Sequence, residues 1–334
     1  MRELPWQVIA VLGPTATGKS AFAMELAEKL GRRGCGVELI SADALQAYRG
    51  FDIGTAKPGP RARARVRHHL VDVLEPHQAF SAGEFARRAG AAVEEIEGRD
   101  RLPLLVGGSG FYLRALFEGL APVPPVPSEV RAALRGELRS GGLEPLLEEL
   151  RGVDPESAAG LSAGDTQRIL RALEVVRFTG RTLPGWQRAG SEAALDRRVL
   201  KIGLTLPRPL LYDAIKARAG RMLERGWLAE VERLRERAEF RAGASWAELP
   251  ACQAIGYRQF ADHLDGKSTL EQALEETIRA TRRYAKRQET WFRRETDVCW
   301  IDISGRAGVK RALRRIVEAR VEARTAARSS VAPA

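Results

Sequence analysis

Cysteine is scarce and scattered. Cys35, Cys252 and Cys299 are the only three in 334 residues, too few and too far apart for a disulfide framework or a zinc site. The four histidines, His68, His69, His77 and His263, show no metal-ligand spacing, so a structural role is expected for each. No apolar run approaches the ~20 residues that span a bilayer. The first residues, Met1 to Trp6, enter an apolar strand pattern at once and leave no room for a secretory leader. These absences argue against a secreted disulfide scaffold and a membrane protein. A reduced, cytoplasmic setting is expected.

What is abundant is positive charge. Lys and Arg number 54 against 43 acidic residues, a net charge of +11. That balance fits a polyanionic partner bound through phosphate contacts. Arginine is used heavily throughout the chain, so a merely solvated basic surface fits the composition equally well.

The most informative stretch is Gly13-Pro14-Thr15-Ala16-Thr17-Gly18-Lys19-Ser20, a full match to G-x-x-x-x-G-K-[ST]. The β-branched run Val8-Ile9-Ala10-Val11-Leu12 precedes it and helix formers follow from Ala21. Strand, glycine turn and helix is the context in which this pattern binds phosphate. Backbone N–H groups and the helix N-terminus face one concavity, Lys19 adds charge, and Ser20 offers a hydroxyl suited to Mg²⁺. A polyphosphate ligand is expected here.

Further strands are predicted at 37–41, 69–74, 102–106, 199–205 and 298–302, with a basic loop at 60–67. Ser81 and Glu84 form a capping-box pattern for a helix to about residue 97. The proline-rich stretch 121–127 reads as a linker into amphipathic helices reaching about residue 179. Residues 207–237 read as helical, as do 275–294. The fold class is therefore α/β: a phosphate-loop parallel sheet flanked by helices, with a small inserted all-helical domain. The expected boundaries are 1–120 with 196–325 for the core, 121–195 for the insert, and 326–334 for a disordered tail.

In an open parallel sheet the carboxyl ends of the strands face the ligand crevice. Asp43, ending the second strand, belongs on the same edge as the phosphate loop, where it could be a general base, a Mg²⁺ ligand or a helix N-cap. The strand at 102–106 ends in Gly107-Gly108-Ser109-Gly110, where many nucleoside triphosphatases carry a metal-ordering Asp. That substitution weakens a kinase reading. Ser109 could donate to a substrate or cap its helix. Arg168 and Arg171 share a helix face, with Gln167 beside them, a pattern for nucleotide contact or a solvated face. Gln253 to Arg258 combines aromatic, arginine and glycine, which suits a base or a core turn. The helix at 275–294 interleaves Arg279, Arg282, Arg283, Lys286, Arg287, Arg293 and Arg294 with Tyr284, Trp291 and Phe292, and favours RNA.

Taken in order, these segments resemble the tRNA dimethylallyltransferases (isopentenyltransferases): the phosphate loop, then Ser-Ala-Asp-Ala-Leu-Gln-Ala-Tyr-Arg-Gly-Phe-Asp-Ile-Gly-Thr-Ala-Lys-Pro (41–58), Gly-Gly-Ser-Gly-Phe-Tyr (107–112), Asp-Thr-Gln-Arg-Ile-Leu-Arg (165–171), Ala-Ile-Gly-Tyr-Arg (254–258) and Tyr-Ala-Lys-Arg-Gln-Glu-Thr-Trp-Phe-Arg (284–293). The resemblance spans residues 8 to about 302. It implies transfer of a dimethylallyl group from dimethylallyl diphosphate to N6 of the adenosine 3′ of the anticodon, in tRNAs reading codons that begin with U.

By the same resemblance Gly13, Thr15, Ala16, Thr17, Gly18, Lys19 and Ser20 hold the diphosphate, with Mg²⁺ at Ser20. Arg218 matches a diphosphate arginine, Ser109 a residue that positions the bridging oxygen, and Asp43 the base. Asp43, Ala44, Leu45 and Gln46 align with tRNA-contacting segments. So do Gln167, Arg168, Ile169, Leu170 and Arg171; Gln253, Gly256, Tyr257 and Arg258; and Lys286, Arg287, Gln288, Trp291 and Arg293. Ala214 departs from the family's usual arginine, one helical turn before Arg218. A monomer is expected. Two other readings remain, a phosphate-loop kinase for a small metabolite and a non-catalytic RNA-binding nucleotide sensor.

Overall fold

The computed structural model describes residues 6–191, 195–237, 246 and 249–329. Six strands form one sheet: β1 Val8–Leu12, β2 Val37–Ala42, β3 His68–His69, β4 Leu102–Gly107, β5 Val199–Thr205 and β6 Val298–Asp302. All pairings are parallel and the order is β3-β2-β4-β1-β5-β6. The central strands are unbroken apolar runs because helices cover both faces. β1 is buried at all five positions.

Helix α1, Lys19–Gly31, follows β1, and α2, Pro60–Arg65, lies in the stretch expected to be a loop. Pro60 at its first position suits a helix start. The strand expected at 69–74 stops after His69, because Leu70 and Asp72 take φ of 59° and 57° and turn the chain away. Helix α3, Ala82–Glu97, begins at Ser81, whose side chain accepts from the Glu84 N–H. Glu84 itself pairs with Arg87 and Arg88, so only half of the capping box forms. Helix α4, Gly110–Phe117, leaves the end of β4.

The chain divides into two compact units, Met1–Arg114 with Asp196–Ala334, and Ala115–Leu195. The division falls at 114/115 rather than 120/121. The Leu195 N–H donates to the Leu116 carbonyl at 2.8 Å and ties the two ends of the insert together. The insert holds α5 Ser128–Gly141, α6 Glu144–Val153, α7 Pro155–Ala159, α8 Thr166–Thr179 and α9 Leu183–Arg188. Leu134, Leu147, Leu150, Ile169 and Leu173 form its own core. Arg177 on α8 bridges Glu137 at 2.7 Å and Glu149 at 2.5 Å.

The larger unit resumes with β5 and α10, Arg208–Glu224, then α11, Trp227–Glu236; Gly226, at φ 94°, breaks what the sequence suggests is one helix. Helices α12 Tyr257–Leu264, α13 Leu270–Phe292 and α14 Arg306–Ser329 complete it. The expected tail is helical through residue 329, and 330–334 lie outside the described residues.

The loop between β2 and α2 is held by two buried charges. Lys57, 1% exposed, reaches the Tyr48 carbonyl at 2.6 Å, Asp52 at 2.7 Å and Asp72 at 2.6 Å. Glu230 of α11, 3% exposed, accepts from the N–H groups of Asp52, Ile53 and Gly54 at 3.1, 2.8 and 3.3 Å and from the Tyr257 hydroxyl at 2.6 Å. Burial and the Glu230 charge push the Tyr257 phenol far above its usual range. Replacing Glu230 by Ala strands three N–H donors and a hydroxyl, and a loss of about 3–5 kcal/mol is expected. Urea unfolding measures it; an unchanged midpoint contradicts this account of the loop.

Candidate active site

Register places three loops at one level. Leu12 and Ala42 both pair with Gly107, so Gly13, Asp43 and Gly108 are the next residues of three adjacent strands. The phosphate loop, the carboxylate and the glycine turn thus share the carboxyl edge of the sheet, where crevices open in such folds.

Within the phosphate loop, the Thr17 hydroxyl and the Lys19 ammonium both donate to the Pro14 carbonyl, at 2.8 and 2.6 Å. Thr17 is fully buried, and neither it nor Gly13 lines the cavity; both shape the turn. The Thr15 N–H donates to Gln288 Oε1 at 2.8 Å, and Arg218 Nη1 donates to the Thr15 hydroxyl at 3.2 Å. Gln288 Nε2 donates to the Gly108 carbonyl at 2.8 Å. A Cβ at 108 would meet Gln288 Nε2 at 2.3 Å, so a side chain there displaces the Gln288 amide.

A cavity of about 480 Å³ opens here, lined by Thr15, Ala16, Gly18, Lys19, Ser20, Asp43 and Gln46 among others, with Arg218 and Tyr284. Burial chiefly, then Arg218, pushes Lys19 down to about 7, while Asp43 opposes the shift. Burial also lowers Arg218. Lys19, Arg218 and Arg221 thus crowd positive charge into a concave, partly dry space. Such a site favours a bound polyanion.

Asp43 is half-buried, and its Oδ1 accepts from the Leu45 N–H at 2.9 Å. A turn follows it rather than a helix, so the N-cap alternative falls away. Gln46 accepts from Ser41 Oγ at 2.9 Å and donates to the Thr55 carbonyl at 3.2 Å, bracing the same loop. Ala44 and Leu45 are half-buried and stand outside the cavity wall. Ser109 also lies just off the wall, near Tyr284; burial and then the Asp43 charge raise Tyr284 to about 12.

The residues expected at tRNA divide. Lys286, Arg287 and Arg293 are exposed on or just beyond α13, and Trp291 meets Phe111 edge-on at 6.3 Å. Gln253 and Arg258 are exposed. In the insert, Gln167 and Arg168 are exposed, Arg168 pairing with Asp165, and Arg171 lies 3.3 Å from Glu174; Leu170 is half-buried. Three residues present no side chain to a partner. Ile169 is core. Tyr257 is fully buried with its hydroxyl on Glu230. Gln288 is 5% exposed and clasps the two loops. Gly256, at φ 94°, is a packing position, because a Cβ would meet Trp227 at 2.0 Å.

Sequence reasoning passed over Arg221 and Arg225, which line the cavity with Arg218. The signal was there: spacings of three and four residues place all three on one face of α10 and its C-terminal end. Ala214, one turn earlier on that helix, supplies no charge. Among the described residues no cluster of three acidic, histidine or cysteine side chains gathers. Ser20 and Asp43 are a sparse oxygen donor set, which fits Mg²⁺ held largely by substrate phosphates and water.

Fold and site together define a phosphate-loop α/β protein whose anion cradle faces a carboxylate. The family model described as IPP transferase matches residues 46–295, and the chain belongs to that family. It is 47% identical over 291 residues to the tRNA dimethylallyltransferase of Halorhodospira halophila, covering 87% of this chain and 91% of the relative. It is 43% identical over 300 residues to that of Geobacter metallireducens, covering 90% and 94%. Among solved structures, a Bacillus halodurans tRNA isopentenylpyrophosphate transferase matches with TM-score 0.65 at 34% identity, over 96% of this chain and 99% of that one. A eukaryotic dimethylallyltransferase acting on tRNA matches with TM-score 0.72 at 26% identity, over 88% and 73%.

With Lys19 held at about 7, binding a diphosphate restores its charge, so above pH 7 binding takes up a proton and affinity falls as pH rises. Calorimetry at pH 8 in two buffers of different ionisation enthalpy reads the proton count. Uptake of a substantial fraction of one proton is expected; none contradicts the assignment.

Proposed function

We propose that this protein transfers a dimethylallyl group from dimethylallyl diphosphate to N6 of the adenosine 3′ of the anticodon, in tRNAs reading codons that begin with U, and releases pyrophosphate. The observation that carries this is the shared level of Gly13, Asp43 and Gly108 at the sheet edge, with Lys19, Arg218 and Asp43 around one cavity. The relatives named above act on tRNA, and the basic exposed residues of α13 suit an RNA backbone.

In this reading Thr15, Ala16, Gly18, Lys19 and Ser20 hold the diphosphate, with Gly13 and Thr17 shaping the loop. The allylic C–O bond breaks, and the electron pair leaves on the pyrophosphate oxygen. Lys19 and Arg218 stabilise the charge that develops there, where preorganised cations act most strongly. Mg²⁺ bound against Ser20 would supply further charge neutralisation of the diphosphate.

The amine N6 is a weak nucleophile, because its lone pair is delocalised into the purine. As its bond to the allylic carbon forms, Asp43 takes one N6 proton. The adenosine leaves the anticodon-loop stack to reach the carboxylate, as bases do in other modifying enzymes. Ser109, at the turn after β4, positions the bridging oxygen of the diphosphate. Gln167, Arg168 and Arg171, with Gln253, Arg258, Lys286, Arg287, Trp291 and Arg293, supply tRNA contacts. The protein works as a monomer in the cytoplasm.

Incubation with Mg²⁺, labelled dimethylallyl diphosphate and unmodified tRNA is expected to put label into tRNA. ATP consumption without transfer favours the kinase reading. Asp43→Asn is expected to bind both substrates but lower kcat by about 10²- to 10⁴-fold. Turnover like the parent protein removes Asp43 from the base role.

A further inference from the structure

A second basic cavity, of about 550 Å³, lies where α14 packs on α1. Leu26 and Leu30 of α1 meet Leu313 and Val317 of α14 beneath it. Arg32 and Arg33 project from the C-terminal end of α1, and Lys310 and Arg314 from α14. None of these four cations has a side-chain partner among the described residues. Some arginines elsewhere are matched, Arg177 with two glutamates and Arg99 with Glu38 and Glu95, while others such as Arg135, Arg139 and Arg315 are solvated singly; here four gather around one hollow. The acidic groups on the wall are Glu25, which lies 3.5 Å from Lys29, and Glu318.

Helix electrostatics explains only part of this arrangement. A helix C-terminus favours cations, which accounts for Arg32 and Arg33. The first turn of α14 contains no acidic residue, and Lys310 and Arg314 follow one turn apart near its positive end. Five cations converge on one hollow against two carboxylates, Glu25 and Glu318, an excess of positive charge that a phosphate-bearing partner stabilises. The cavity is also remote from the reaction centre. The phosphate loop caps the N-terminus of α1, and this cavity sits at its other end, ~20 Å away at 1.5 Å per residue.

We propose that the cavity is a second phosphate-binding surface, which holds RNA backbone lying outside the anticodon stem-loop. The proposal rests on the tRNA reading above for its partner. The four unpartnered cations form ion pairs with backbone phosphates and displace their counterions. A small polyphosphate shares this chemistry, so tripolyphosphate serves as the competing probe.

The test replaces Arg32, Arg33, Lys310 and Arg314 together by Gln and measures binding of labelled full-length tRNA across a salt series, without the prenyl donor. Affinity is expected to fall roughly tenfold at low salt, and the log–log salt slope to become shallower by up to about 3. Transfer to an isolated anticodon stem-loop is expected to keep its kcat and KM. The variant Arg32→Lys, Arg33→Lys, Arg314→Lys, which retains the charge, is expected to bind tRNA like the parent protein, separating charge from packing. Unchanged tRNA affinity and slope in the Gln variant overturn the proposal, as does a parallel loss on the stem-loop. Tripolyphosphate binding lost while tRNA binding stands overturns it too, making the cavity a small-anion site. Equilibrium binding needs no turnover, so a failure of the transferase reading appears separately, as absent label transfer by the parent protein.

Discussion

One buried amide holds the reaction centre together. Gln288 accepts from the Thr15 N–H and donates to the Gly108 carbonyl, both at 2.8 Å, and so joins α13 to two loops that lie 273 and 180 residues away in sequence. Both ends of the side chain are used, and each backbone group is satisfied where water has little access. The clasp sets the spacing between the phosphate loop and the turn after β4. It also seats Tyr284, one turn earlier on the same helix, at the cavity wall. A basic helix that reads as an RNA surface from outside is a structural brace from inside.

That brace creates an electrostatic imbalance. Burial and then Arg218 oppose the charge on Lys19, burial and Arg221 oppose that on Arg218, and Asp43 offsets both. A polyanion relieves the imbalance, which is why the cavity suits a diphosphate better than a neutral ligand. In the proposed mechanism the same cations serve the bond-breaking step, because the leaving group gains charge where they already stand. With Ala214 in the chain, Arg218 stands at the cavity beside Arg221 and Arg225 rather than beside a cation one turn earlier.

Much of this was legible in the sequence. The phosphate loop, the strand ends at Asp43 and Gly107, and the parallel α/β class follow from period, glycine punctuation and strand composition. The insert's helices were visible from their amphipathic spacing. What escaped was chosen by tertiary contact. Nothing local marks Glu230 as the acceptor for a loop 176 residues away, or Lys57 as that loop's buried staple. The strand pattern after His69 was real, but Leu70 and Asp72 adopt left-handed backbone that apolar periodicity does not reveal. Tyr257 and Ile169 sit inside motifs that resemble tRNA contacts, yet their side chains serve the interior. A motif identifies the segment, and burial decides which of its members face outward.

The central claim is that the carboxylate of Asp43 faces the nucleophilic nitrogen while the phosphate loop holds the leaving group. A crystal structure with a non-reactive dimethylallyl diphosphate analogue and tRNA measures this directly. The diphosphate is expected against Lys19 and Arg218, with a distance from Asp43 to the adenosine N6 of about 2.6–3.2 Å. An N6 far from Asp43, or a nucleoside triphosphate binding the loop as phosphoryl donor, would contradict this mechanism.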